Sequence, residues 1–279
     1  MVDEKFELIS VIFRLAGKEN YTDLETDYHK NVAERFAKFS EHPAVKLIKS
    51  FDFSNGIWVG HSDTLRFIAH LEKRNDKFVF IEDISSLFDV DGSWNEVSAK
   101  EFLELFNDFY NDTDYAEFFN SCAAYFEEVT QYFINETYGA IDFEWFRKYV
   151  DPSNLRCIYS PSSGNYGATV NNKIVYSVVR KNGSAFVHEC CHHIASKLVD
   201  DWYNENEEFR KWCDDGAKII PVYSTGWVMA NEYITRAYDV LYKVQHGGNL
   251  EKCLANERDG IVKDGFKHIG EVYNMVSLL

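Results

Sequence analysis

Five residues constrain this chain more than any others. His188-Glu189-Cys190-Cys191-His192 sets two histidines four positions apart, with a glutamate directly after the first. On an α-helix, residues i and i+4 project from one face. The two imidazoles can then meet one metal ion, and Glu189 stands beside that ion, able to take a proton from a water. The flanks support a helix. Gly183–Ser184 reads as its start, with Ser184 as N-cap, and Ala185 to Val199 holds no Gly or Pro. Val187, Cys191, Ile194, Ala195 and Leu198 recur at helical spacing. The plainer alternative is a partly buried amphipathic helix whose histidines bond locally. The motif favours a zinc site.

Composition narrows the rest. The chain has 279 residues, enough for one large domain or two small ones, and 46% of them are hydrophobic, which supplies a sizeable core. A net charge of −16 repels phosphate backbones, so nucleic acid is not an expected partner. The first twenty residues carry acids where a secretory leader would carry bases, and no apolar run is long enough to span a membrane. The 6 cysteines are scattered without a C-x-x-C pair. Free thiols in a reducing cytoplasm are the expectation, with a mature secreted form lacking its leader as the alternative. The oligomeric state is not readable.

The expected fold is α+β and mostly helical. Residues 1–150 read as a helical region, with helices over Glu4–Leu15, from a Thr22–Asp23 cap to about Ser40, from Pro43 onward, over Gly60–Leu71, and over Ser98–Tyr110 with Ser98 as cap. Asp114 to about Thr137 reads as one long aromatic-rich helix whose rings pack a core. Residues 151–279 read as the catalytic region, which could form one compact domain with the first. Its strands Leu155–Ser160, Tyr166–Val170 and Lys173–Val179 precede the motif helix, the last two flanking an Asn171–Asn172 turn. Such a hairpin is either structural or an edge for pairing with an extended peptide.

A catalytic zinc takes three protein ligands and keeps one open position. No Gly-x-x-His follows His193, so the third ligand is sought among carboxylates. Glu232 is the leading candidate. It sits within Trp227–Leu241, an apolar stretch without Pro or Gly, and a carboxylate there needs a partner. The competing role is a Glu232–Arg236 ion pair on a solvated face. Glu205, Glu207, Glu208 and Glu271 are rivals, the first three in a strongly polar stretch. His193 points about 100° from His192 around a helix and is not expected to ligate.

His188-Glu189-x-x-His192 followed by Asn231-Glu232 on a later helix resembles the gluzincin group of zinc metallopeptidases. It also resembles an uncharacterised bacterial family of protease-like proteins with this motif, through Tyr166–Gly167 and Glu232–Tyr233…Arg236–Ala237. The resemblance covers roughly Leu155 to Val244. It implies a thermolysin-like active-site helix, a zincin-like catalytic region, zinc held by His188, His192 and Glu232, and Glu189 as general base. One departure stands out. Thermolysin-like sites often carry an Asp four residues after the glutamate ligand, to orient a histidine; here that residue is Arg236, with Asp239 one turn later.

The expected activity is zinc-dependent hydrolysis of a peptide or protein substrate. Tyr223 is the candidate donor for transition-state stabilisation, with His193, Tyr166 and Tyr233 as alternatives. The competing function is a non-catalytic peptide- or protein-binding protein on a peptidase-like scaffold, its metal structural or absent.

Overall fold

A computed structural model describes residues 2–22, 25–51, 64, 67–81, 96–151, 156–159, 167–170, 173–176, 184–220, 223 and 225–279. Helices dominate, and the strands form two small sheets. The fold class is therefore α+β and mostly helical. No described helix is long and apolar enough to cross a membrane. The chain divides into two compact units, Met1–Ala140 with Arg156–Asn182, and Ile141–Leu155 with Gly183–Leu279. They interleave in sequence.

In the first unit, α1 (Glu4–Leu15) starts on Asp3, whose carboxylate accepts from the Lys5 amide at 3.1 Å. Phe6, Leu8, Ile9, Val11, Ile12 and Phe13 are all buried, so α1 is sunk in the core on several sides. After a single turn, α2 (Glu19–Thr22), comes α3 (Asp27–Phe36). Its cap is Thr26 with His29 as reciprocal partner, not Thr22–Asp23, and a 3₁₀ turn carries it to Phe39. Pro43 opens α4 (Pro43–Ser50) as expected, behind His42, whose Nδ1 accepts from the Ala44 amide at 3.1 Å.

Two elements differ from expectation next. The helix expected over Gly60–Leu71 lies partly outside the described residues; Thr64 and 67–69 are helical, but Leu71 begins a strand, and β1 (Leu71–Arg74) pairs antiparallel with β2 (Lys77–Phe80). Asn75 and Asp76 join them at φ of 49° and 62°, the positive values of a tight hairpin turn. Next, α5 runs Glu96–Asp112, so Ser98 lies inside it and is not its cap. The single helix expected from Asp114 to Thr137 is three pieces: α6 (Tyr115–Ser121), α7 (Ala123–Tyr132) and a π-helical segment Phe133–Thr137. At the first break Ser121 donates its hydroxyl back to the Phe118 carbonyl at 2.7 Å, a bond that competes with the helical ladder.

β3 (Arg156–Tyr159), β4 (Gly167–Val170) and β5 (Lys173–Tyr176) form the second sheet in the order β3-β5-β4. β4 and β5 are the expected antiparallel hairpin, and β3 runs parallel to β5. The Asn171–Asn172 turn and Tyr166 lie outside the described residues.

The second unit opens with α8 (Phe143–Phe146) and continues through α9 (Ser184–Ala195), α10 (Val199–Glu205), α11 (Glu207–Ile219), α12 (Gly226–Gln245), α13 (Leu250–Asp259) and α14 (Ile269–Val276). Ser184 is the first residue of α9, and Val199 already belongs to α10. α12 is the axis of this unit, packed against α9, α11, α13 and α14. Thr225 caps it, accepting from the Val228 amide at 3.2 Å. Gly226 is required there, because a Cβ would meet the Asp214 carboxylate at 1.8 Å.

Candidate metal centre

The α9–α12 interface carries the motif residues. His188, Glu189 and His192 bring one ligand-type atom each within 4.8 Å of one another. The two imidazoles meet edge to face with centroids 5.0 Å apart. Across from them, α12 offers Glu232. Its Oε1 lies 3.4 Å from His192 Nε2 and its Oε2 lies 3.8 Å from His188 Nε2. Two ligands of one tetrahedral zinc, each bonded at about 2.1 Å, stand roughly 3.4 Å apart. Two imidazole nitrogens and a carboxylate that faces each through a different oxygen, at separations close to this value, are a donor set of the kind such an ion takes. Glu232 is thus brought to both histidines.

The surroundings prepare these groups. His192 Nδ1 lies 2.7 Å from Asn231 Oδ1 and 3.0 Å from Thr235 Oγ1. The amide oxygen can only accept, so Nδ1 carries a proton and Nε2 is the ring nitrogen that faces Glu232. Burial, the neighbouring His192 and the Arg236 cation hold the His188 pKa well below the ordinary imidazole value, which keeps it neutral. A neutral imidazole is the form that ligates. Asn231 and Thr235 therefore stand where they can orient the His192 ring, the role the sequence left unassigned. Asp239 instead pairs with Lys243 at 2.7 Å.

Arg236 organises the far side of Glu232. Its Nε stands 3.4 Å from Glu232 Oε2, its Nη1 donates to Glu257 Oε2 at 2.6 Å, and its Nη2 donates to the Tyr223 hydroxyl at 3.2 Å. The guanidinium lies 4.4 Å from the centre of the Phe266 ring. Lys243 joins Glu257, at 3.3 Å, to Asp239. The Glu232–Arg236 pair exists, but on a buried interface: the side chains are 13% and 14% exposed. Burial and the Glu232 charge push the Tyr223 hydroxyl above its usual pKa, so it stays protonated. Burial raises Asp239 to about 6 despite Lys243.

The other candidates fall away from this cluster. Glu205, Glu207 and Glu208 are exposed, and Glu271 faces His268 at 3.5 Å near the surface. Tyr233 accepts from the His268 amide at 3.4 Å and packs against Phe266 and Phe209. His193 is buried outside the ligand group, held down to about 4 by burial and by His192. Glu189 is buried beside the histidines. The roles of Asn231, Thr235 and Glu257 were not anticipated from the sequence, although Asn231 belongs to the quoted motif. For the first two the available signal was position, since both lie within one turn of Glu232 on its helix. Comparison of the chain with protein-family models, curated proteins and solved structures finds no match.

Proposed function

We propose that this chain is a zinc-dependent peptidase of the gluzincin kind, with His188, His192 and Glu232 as ligands and Glu189 as general base. One observation carries the reading: both Nε2 atoms face the same carboxylate at 3.4 and 3.8 Å. The charges agree with it. Around Glu232 three carboxylates meet two cations, a net negative charge that favours a bound cation.

When bound, zinc supplies Lewis acidity to the scissile carbonyl and to the attacking water. The chain's own residues do the rest. Glu189 accepts the water's proton and returns it to the leaving amine. Tyr223, kept protonated and held by Arg236, donates towards the oxygen that gains charge. Asn231 and Thr235 keep the His192 ring from turning. The substrate is a peptide or protein segment. The buried thiols Cys122, Cys191 and Cys213 support a reducing compartment, the cytoplasm.

The test has two arms. Glu232→Ala should lower zinc affinity at least about 10-fold, the scale on which even outer-shell partners act, while Glu205→Ala and Glu207→Ala leave it unchanged. A diverse peptide library incubated with zinc-loaded protein should show cleavage that chelator abolishes. Zinc bound with no member cleaved would contradict the peptidase reading and favour a binding protein.

A further inference from the structure

Arg236 occupies the position where thermolysin-like sites carry an acid, and its surroundings give it a definite task. Its guanidinium reaches three oxygens on three elements: Glu232 on α12, Glu257 on α13, and Tyr223 on the segment before α12. Phe266 covers it from a fourth direction at 4.4 Å. The two carboxylates it joins are 13% and 12% exposed. A buried carboxylate–arginine–carboxylate triad is a poor way to stabilise a helix interface, because desolvation offsets most of the attraction and apolar residues of similar volume do as well or better. What the triad does supply is direction. Guanidinium nitrogens lie in one plane at fixed angles, so fixing two of them fixes the third.

We propose that Arg236 is the positioning residue of this centre: anchored by Glu257 and Phe266, it holds Glu232 by Oε2 so that Oε1 is presented to the metal, and sets the Tyr223 hydroxyl alongside. The inference rests on the metal reading above and adds to it which groups make Glu232 a competent ligand. Oε2 stands 3.4 Å from Arg236 Nε, an ion-pair separation, and also 3.8 Å from His188 Nε2, while Oε1 is the oxygen free of Arg236 and lies 3.4 Å from His192 Nε2. Left unheld, the Glu232 side chain could swing between its rotamers, and ligation would have to overcome that lost entropy. Glu257 keeps the guanidinium from collapsing onto the ligand carboxylate, and Lys243 holds Glu257 from its other oxygen.

The experiment compares wild type, Glu257→Gln, Arg236→Lys and the control Glu251→Gln, an exposed position on α13. Zinc affinity is measured by competition with a chromophoric chelator, the visible spectrum is recorded with cobalt(II) in place of zinc, and melting is followed in excess chelator. Glu257→Gln is nearly isosteric and removes the charge that anchors Nη1. Arg236→Lys keeps the charge and loses the fork. Both are expected to weaken zinc binding about 10- to 100-fold, the usual effect of losing an outer partner of a ligand. Their cobalt spectra should shift, and both variants should stay folded in excess chelator though melting below wild type, since a buried charge has lost its partner, while Glu251→Gln matches wild type throughout. Folded variants that bind zinc within twofold of wild type, with unchanged cobalt spectra, overturn the proposal and leave the metal reading standing. Variants that both fail to fold in chelator also overturn it, since the role is then structural. Wild type that takes up no zinc overturns the metal reading, and this inference with it.

Discussion

The two units fill their interiors with different materials. In the first, helices meet through rings. Phe36 packs edge-on to Phe118 at 4.9 Å and lies near Phe109 and Tyr115, while Phe67 touches Phe102, Phe106 and Phe80. Among its buried polar groups, Tyr28 donates to Glu7 at 3.0 Å. In the second, the central helix α12 turns Glu232, Thr235, Arg236 and Asp239 inward, and a chain of charges runs from His192 through Glu232, Arg236 and Glu257 to Lys243. Rings ask only for volume and tolerate many arrangements. Charges out of water ask for partners at fixed distances and are costly when one is missing. An interior built of charges therefore gives up stability for geometry, and that exchange is expected where chemistry is done.

The largest test of this contrast is Glu189→Gln. The substitution keeps shape and hydrogen-bonding capacity and removes the base. Zinc content should stay near wild type while peptide hydrolysis falls by a factor on the order of 10²–10⁴. Chelator-sensitive cleavage that survives undiminished would rule out the assigned base. On the other side of the comparison, Phe36→Ala should lower the unfolding free energy by about 3–5 kcal/mol, read by denaturant titration. Zinc affinity of the folded variant should not move; a parallel loss of zinc would mean that the two interiors are not separable in this way. A smaller effect comes from Asp239, whose folded pKa of about 6 exceeds its unfolded value. A raised carboxyl pKa contributes stability below the unfolded value, near pH 4, and that contribution is lost as pH rises through about 6. Chelator-treated wild type should therefore lose on the order of 1–3 kcal/mol relative to Asp239→Asn as pH rises from 4 to 7. Matching pH profiles for the two proteins would show that Asp239 is not held in this way.

Much of the site was legible because it lies on two helices with clean periodicity. Val187, Cys191, Ile194 and Ala195 mark the buried side of α9, and the apolar run around Glu232 marks α12. Glu232 was visible as a carboxylate in an apolar setting. Glu257 was not, because it lies 21 residues beyond Arg236 on another helix, and only the tertiary fold brings them together. Local competition hid other features. The β1–β2 hairpin has strands as polar as Glu72-Lys73-Arg74, so periodicity gave no signal, and only Asn75–Asp76 marked the turn. The run from Asp114 to Thr137 keeps helical spacing throughout, yet Ser121 and the left-handed Asp114, at φ 51°, divide it from its neighbours. Hydrophobic spacing registers which face is buried and is silent about such breaks.

The central claim is that His188 and His192 together hold one metal ion. Elemental analysis of protein purified without chelator tests it directly, on wild type and on the His188→Ala/His192→Ala variant, with folding of both checked by circular dichroism. The account expects close to one zinc per wild-type chain and only trace zinc in the folded double variant. Equal zinc in the two proteins, or none in wild type after incubation with the metal, would contradict it.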